Sequence, residues 1–258
     1  MIKQKKRNNG FTLSEVLITL AVIGIVAAMT LPAFIQKYQQ FVLKNQFKQF
    51  YSNFSNAIKY VQATNGGTMS CYYWDKHPYE GTDKEAKCSK YNEYGNCAKW
   101  VSKDDTPLVS NYNGELSECK KFTEELTKAL KAIKVCNEKA LENGCITNSY
   151  RGRDIVLAEK NPDQKIDPNI EFSDKNIKNK SYAFIAGDGT LYVKYNTISS
   201  FPIFLVDING HKGPNKYGYD LFIFELHGNP TAGIYQIKPN YWTIEKGGTT
   251  FEKMLKNF

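Results

Sequence analysis

The sequence predicts an α+β protein: one long N-terminal helix packed on a C-terminal antiparallel sheet, with a disulfide-braced insert between them. Three observations carry this. An apolar run near the N-terminus continues into an amphipathic stripe, six cysteines fall in one polar stretch, and the C-terminal part reads as strands joined by turns.

With 258 residues, the chain has room for one modest globular domain plus an appendage. An aromatic fraction of 14% and a mean hydropathy of −0.49 describe a largely soluble chain able to fold. The formal charge is +8, but Lys3, Lys5, Lys6 and Arg7 supply four of those charges, leaving +8 − 4 = +4 without residues 1–10. That is a lysine-rich surface with no zinc-finger, helix-turn-helix or RNA-binding signature, so nucleic acid is not an expected partner.

Residues 1–10 form a basic leader. From Phe11 to Leu31 there are 21 residues, 15 of them apolar, and Glu15 is the only charge. As a helix this segment is about 31 Å long, the thickness of a bilayer core. The positive cluster ahead of it keeps the leader cytoplasmic and sends the rest of the chain outward. Near a helix centre a charge costs roughly 2.5 to 3.5 kcal/mol on insertion scales, and less near the end. Glu15 lies one turn in, so it either snorkels to the interface or meets a positively charged partner.

A short basic leader, then Gly10, Phe11, Thr12 and Leu13, a glutamate at the fifth position after the glycine, an unbroken apolar helix and Pro32 at its end resemble the signal of type IV prepilins and type II secretion pseudopilins. The match covers about 25 residues; beyond it, only the architecture is similar. The resemblance implies that a prepilin peptidase cuts after Gly10 and methylates the new N-terminal Phe11. Glu15 would then offset the N-terminal ammonium of an adjacent subunit in a filament. The implied partners are copies of the chain or other pilins, the peptidase, an inner-membrane assembly platform and membrane lipid. The implied place is the cytoplasmic membrane, single-pass with the head outside, and then a periplasmic or surface filament. An ordinary signal peptide cut after Val26 to Ala28, releasing a chain from Met29, is the competing reading; Glu15 and the Gly10-Phe11 junction argue against it.

Residues 32–67 continue as an amphipathic helix with a stripe of Phe34, Tyr38, Phe41, Phe47, Phe50, Phe54, Ile58 and Val61. Asn65-Gly66-Gly67 stops it, which makes Phe11 to Thr64 one rod of about 80 Å, loosened at Pro32.

Residues 68–180 are polar and rich in cysteine. One helix stands out, with Ser117 as cap and Phe122, Leu126, Ala129, Leu130 and Ile133 as its apolar face. Cys71, Cys88, Cys97, Cys119, Cys136 and Cys145 form no CxxC pair and share no ligand spacing with His77, His211 or His227, so disulfides formed after export are expected rather than zinc. Cys119 and Cys136 would lie about 25 Å apart if both were on that helix, too far to bond. Cys136 with Cys145 is the favoured pair, closing a short loop through Asn143-Gly144.

Residues 181–258 read as a sheet. "YAFIAGDGTLYVKY" is a hairpin turning at Asp188-Gly189, "FPIFLVDI" and "YDLFIFEL" are strong strands, and "GIYQIKP" is a further one. Between the two strong strands Asp207, Asn209, Asn215 and Asp220 supply oxygens, while Gly210, Gly213 and Gly218 allow tight turns, an arrangement open to calcium. It is not an EF-hand, since the twelfth position from Asp207 is Gly218. The other reading is a plain connection in which these side chains cap backbone groups. The loop is similar in kind to the calcium loop of major pseudopilins, without matching its ligands one by one.

No GxSxG, GxxxxGK[ST], HExxH or GxGxxG sequence is present, so an enzyme is not expected. Two functions remain. One is a structural subunit of a pilus or pseudopilus. The other is a minor tip subunit whose cysteine-braced head binds a surface, an exoprotein or DNA.

Overall fold

The computed structural model describes residues 12–65, 87–91, 97–101, 117–179, 182–195, 202–228, 235–240 and 243–256. Gly10, Phe11 and Cys71 lie outside these residues, and Cys88, Cys97 and Cys119 are described by their backbone alone. The chain divides into two units, Met1–Val42 and Leu43–Phe258.

Helix α1 runs Leu13–Thr64 and stays helical through Pro32. Its first part belongs to the first unit, where Leu17, Ile18, Ile23, Phe34, Tyr38 and Phe41 are all exposed. The helix is long and apolar enough to cross a membrane, with a mean hydropathy of 2.4 in its most apolar stretch and none of that stretch buried. Burial in α1 starts later than its stripe suggests. Phe34, Tyr38 and Phe41 share the periodicity but cover nothing, whereas Phe47, Phe50, Phe54, Ala57, Ile58 and Val61 are buried in the second unit.

In that unit, β3 (Lys134–Cys136), β4 (Tyr182–Ile185), β5 (Leu191–Lys194), β6 (Ile203–Asp207), β7 (Leu221–Gly228) and β8 (Tyr235–Asn240) form one antiparallel sheet in chain order. Each strand therefore pairs with its sequence neighbour, β4 and β5 through a short turn but β3 and β4 across a segment that holds two helices. Pro239 sits in the outer strand β8, where a missing N–H costs least. A separate hairpin pairs β1 (Lys87–Tyr91) with β2 (Cys97–Val101).

Both faces of the sheet are buried. On one, Phe184, Tyr192, Phe204, Phe222 and Phe224 meet α1, and Phe54 stacks on Tyr192 at 5.4 Å between centroids. Phe251 of α5 (Phe251–Leu255) closes this core, 4.8 Å from Phe47. On the other face, Ala183, Val193, Leu205 and Ile223 meet Cys145, Ile146, Tyr150, Val156, Phe172 and Ile177 from the segment holding α3 (Arg153–Lys160) and α4 (Asp174–Asn179). This explains why "IFLVD" is continuously apolar up to its final Asp207 and buried throughout: a strand covered on both sides has no wet face to alternate with.

Residues 117–179 thus contribute to the head's own core. Helix α2 (Ser117–Ala129) buries Phe122 and Leu126, but it ends before the expected Ile133. Lys131 adopts φ +52°, Ala132 N donates to Thr127 O and Lys131 N to Lys128 O. These bonds make a Schellman stop with lysine where glycine is usual. Ile133 is consequently 72% exposed, and Cys136 lies in β3. Cys136 bonds Cys145, with Cα atoms 6.3 Å apart, as the loop through Gly144 suggested. Replacing both cysteines by serine should lower the unfolding free energy by about 2.5 kcal/mol, the loop-entropy value for nine residues, measured by urea titration.

Candidate functional site

At the start of α1, Thr12 N and Thr12 Oγ1 both donate to Glu15 Oε2 at 2.8 Å, while Glu15 N donates to Thr12 Oγ1 at 3.3 Å. This is a capping box, in which a threonine and a glutamate three residues on satisfy each other's end of the helix. The sequence carries its T-x-x-E signature at Thr12 to Glu15, a signal the choice between snorkelling and a foreign partner passed over. A third answer to the carboxylate in lipid is therefore visible: it caps its own helix, where the helix dipole favours an anion. Both Thr12 bonds fall on one oxygen, and among the described residues Oε1 accepts none.

The second site is the β6–β7 connection. Asp207 ends β6, a 3-10 turn spans Gly210–Lys212, and Gly213-Pro214 is a cis peptide. Asn215 takes φ +54° and Gly218 φ +85° on the way to Asp220. The fold brings all four expected side chains together, with Asp207 and Asp220 at 1% and 0% exposure. Asp207 Oδ1 accepts from Asn209 N at 3.1 Å. Asp220 accepts from Asn215 N and Lys216 N, each at 2.8 Å, and from Asn209 Nδ2 at 3.4 Å.

Two partners come from outside the connection. Tyr150 Oη donates to Asp207 Oδ2, and Asn215 Nδ2 donates to Ser149 Oγ at 2.6 Å. The disulfide places them: Cys145 is pinned to β3, and its carbonyl contacts His211 Nε2 at 2.8 Å. Burial pushes the Asp207 carboxyl up to about 8, with the charge of Asp220 adding to the rise and the Tyr150 bond opposing it. Burial raises Asp220 as well, against the pull of its backbone donors, and raises the Tyr150 phenol. Oxygens outnumber donors here, because Asn209 Oδ1 and Asn215 Oδ1 are buried without a partner. Two carboxylates converge, and among the described residues no group of three or more His, Cys, Asp or Glu side chains is placed to hold a metal.

Residues 5–31 match the family described as the prokaryotic N-terminal methylation motif. Over 76 residues the chain is 40% identical to "Fimbrial protein EcpC" of Eikenella corrodens, a match covering 30% of this chain and 40% of that protein. The chain thus spans less than half the length of this curated relative. No solved structure matches it. The chain thus joins an N-terminal methylation motif on an apolar helix to an α+β unit with a six-stranded antiparallel sheet and a disulfide.

Proposed function

We propose that this chain is a filament subunit of the type IV pilin kind, anchored in the cytoplasmic membrane until it is drawn into a fibre outside the cytoplasm. The observation that carries the reading is the methylation motif over residues 5–31, set on a helix long and apolar enough to span a bilayer. Its work is polymerisation rather than catalysis, in company with copies of itself or other pilins, a prepilin peptidase and an assembly platform. A fibre is favoured over a secretion pseudopilus by the fimbrial relative, and the large head favours a minor, tip position. Counting this subunit against the others in sheared filaments tests that position.

Processing tests the reading itself. Mass spectrometry should find the mature chain starting at an N-methylated Phe11. Gly10→Val should block the cut and leave the precursor in the membrane. A chain starting at Met29 would instead identify an ordinary signal peptide.

A second reading, a cation held by the Asp207–Asp220 connection, is favoured by the surplus of buried oxygens, including the unpartnered Asn209 Oδ1 and Asn215 Oδ1. An all-oxygen set of carboxylates and amides suits calcium. Millimolar calcium should then raise Tm by binding the folded state alone, and Asp220→Ala should remove the shift. An unchanged Tm would leave these side chains as caps of the turns.

A further inference from the structure

A cleft of about 760 Å³ lies within the second unit, between the end of α1, the end of α2 and the β4–β5 turn. We propose that it binds a neutral saccharide, which gives the tip reading its ligand class and rests on that reading.

The cleft is preformed. Gly187 N donates to Leu130 O, tying the β4–β5 turn to the end of α2, and Asn53 Nδ2 donates to Asp188 Oδ2 at 2.8 Å, tying the same turn to α1. The Schellman stop holds Lys131 on the rim. Its size falls within the range of small-ligand sites.

The lining decides the chemistry. Ala57 and Leu130 are buried apolar residues of the lining, and the polar groups are two amides, one phenol, two ammonium groups and two carboxylates. Lys128 and Lys131 are balanced by Glu125 and Asp188, so the site has no formal charge with which to select an anion. Lys128 Nζ is already paired with Glu125 Oε1 at 3.0 Å. Three lining side chains have no partner among the described residues, the neutral Asn56 and Tyr60 and the Lys131 ammonium, whose charge is matched within the lining by Asp188; Tyr60 is 60% exposed. An amide offers both donors and acceptors to paired hydroxyls, and a phenol ring offers an apolar face with a polar tip. Polyhydroxylated rings present those two surfaces together. A protein partner would call for larger buried apolar anchors, which this lining lacks.

The test uses the full chain in an amine-oxide detergent, because maltoside detergents would themselves compete. Saturation-transfer NMR with maltotriose, chitotriose and lactose should show millimolar binding of at least one. Asn56→Ala and Tyr60→Ala, both at exposed positions, should each weaken it about tenfold. Lys59→Ala, on the same helix but outside the cleft, should change nothing. Binding by none of the three, binding that survives both variants, or binding only of heparin would overturn the proposal. A maleimide that labels Asn56→Cys in detergent but not in sheared filaments would overturn it too, by making the cleft a subunit interface. Filament stoichiometry tests the tip position separately, so the two can fail independently.

Discussion

Glu15→Gln should leave the chain made, inserted and cut after Gly10, yet reduce its incorporation into filaments about a hundredfold. Gln retains the geometry of the cap, because a glutamine also serves as the third residue of a capping box, so the variant removes the charge and spares the Thr12 bonds. If Glu15 pairs with the Phe11 ammonium of a neighbouring subunit, the variant strands that ammonium in the packed helices. An unpartnered charge there costs about 3 kcal/mol, which is the hundredfold. Thr12→Val makes the opposite cut: it removes the hydroxyl and keeps the carboxylate. Its cost should be that of a lost N-cap, about 1 kcal/mol, and a fall in yield of about fivefold. Filament yield equal to wild type from Glu15→Gln would reduce Glu15 to a cap. A hundredfold loss from Thr12→Val would mean that the cap, and not the charge, is what assembly reads.

The parts of this molecule that were legible in its sequence are those whose signal is local. The stripe from Phe47 to Val61 needs only the helical period, and the hairpin at Asp188-Gly189 needs only a turn between two apolar runs. Strand β3 was not legible, since three residues with their own Val135 and the preceding Ile133 exposed have no pattern to find, and its place is fixed by pairing with β4 about fifty residues on. The end of α2 was hidden by a lysine doing what glycine usually does. At the acidic connection, Asp207, Asn209, Asn215 and Asp220 could be picked out because they lie within one short stretch. Tyr150 could not, because it reaches Asp207 across 57 residues through a disulfide-anchored loop.

That buried pair should make the head lose stability as pH rises. The Asp207 carboxyl, ordinarily near 3.8, titrates at about 8 in the folded chain, so the fold holds this proton more tightly than the unfolded chain does. Its contribution is therefore full below about pH 4 and declines until pH passes 8, a total on the order of 6 kcal/mol. The hydrogen bonds allow the protonated form. With a proton on Oδ2, Asp207 donates to Tyr150 Oη, and Tyr150 turns its own hydrogen to Gly210 O, 3.3 Å away, while Oδ1 keeps the bond from Asn209 N. Asn in place of Asp207 reproduces that pattern permanently, with an N–H where the acid has its O–H. Asp220 retains its N–H donors throughout, and His211 faces the Cys145 carbonyl rather than either acid. In chelator, Tm of the wild-type chain should fall between pH 5 and pH 9, whereas Asp207→Asn should lose most of that dependence and exceed wild type at pH 9. Calcium should help the wild type most at the alkaline end, where the carboxylate is already ionised and the ion need not displace a proton. A wild-type Tm that does not fall across this range, or an Asp207→Asn chain less stable than wild type at pH 9, would show that Asp207 is buried as the ion.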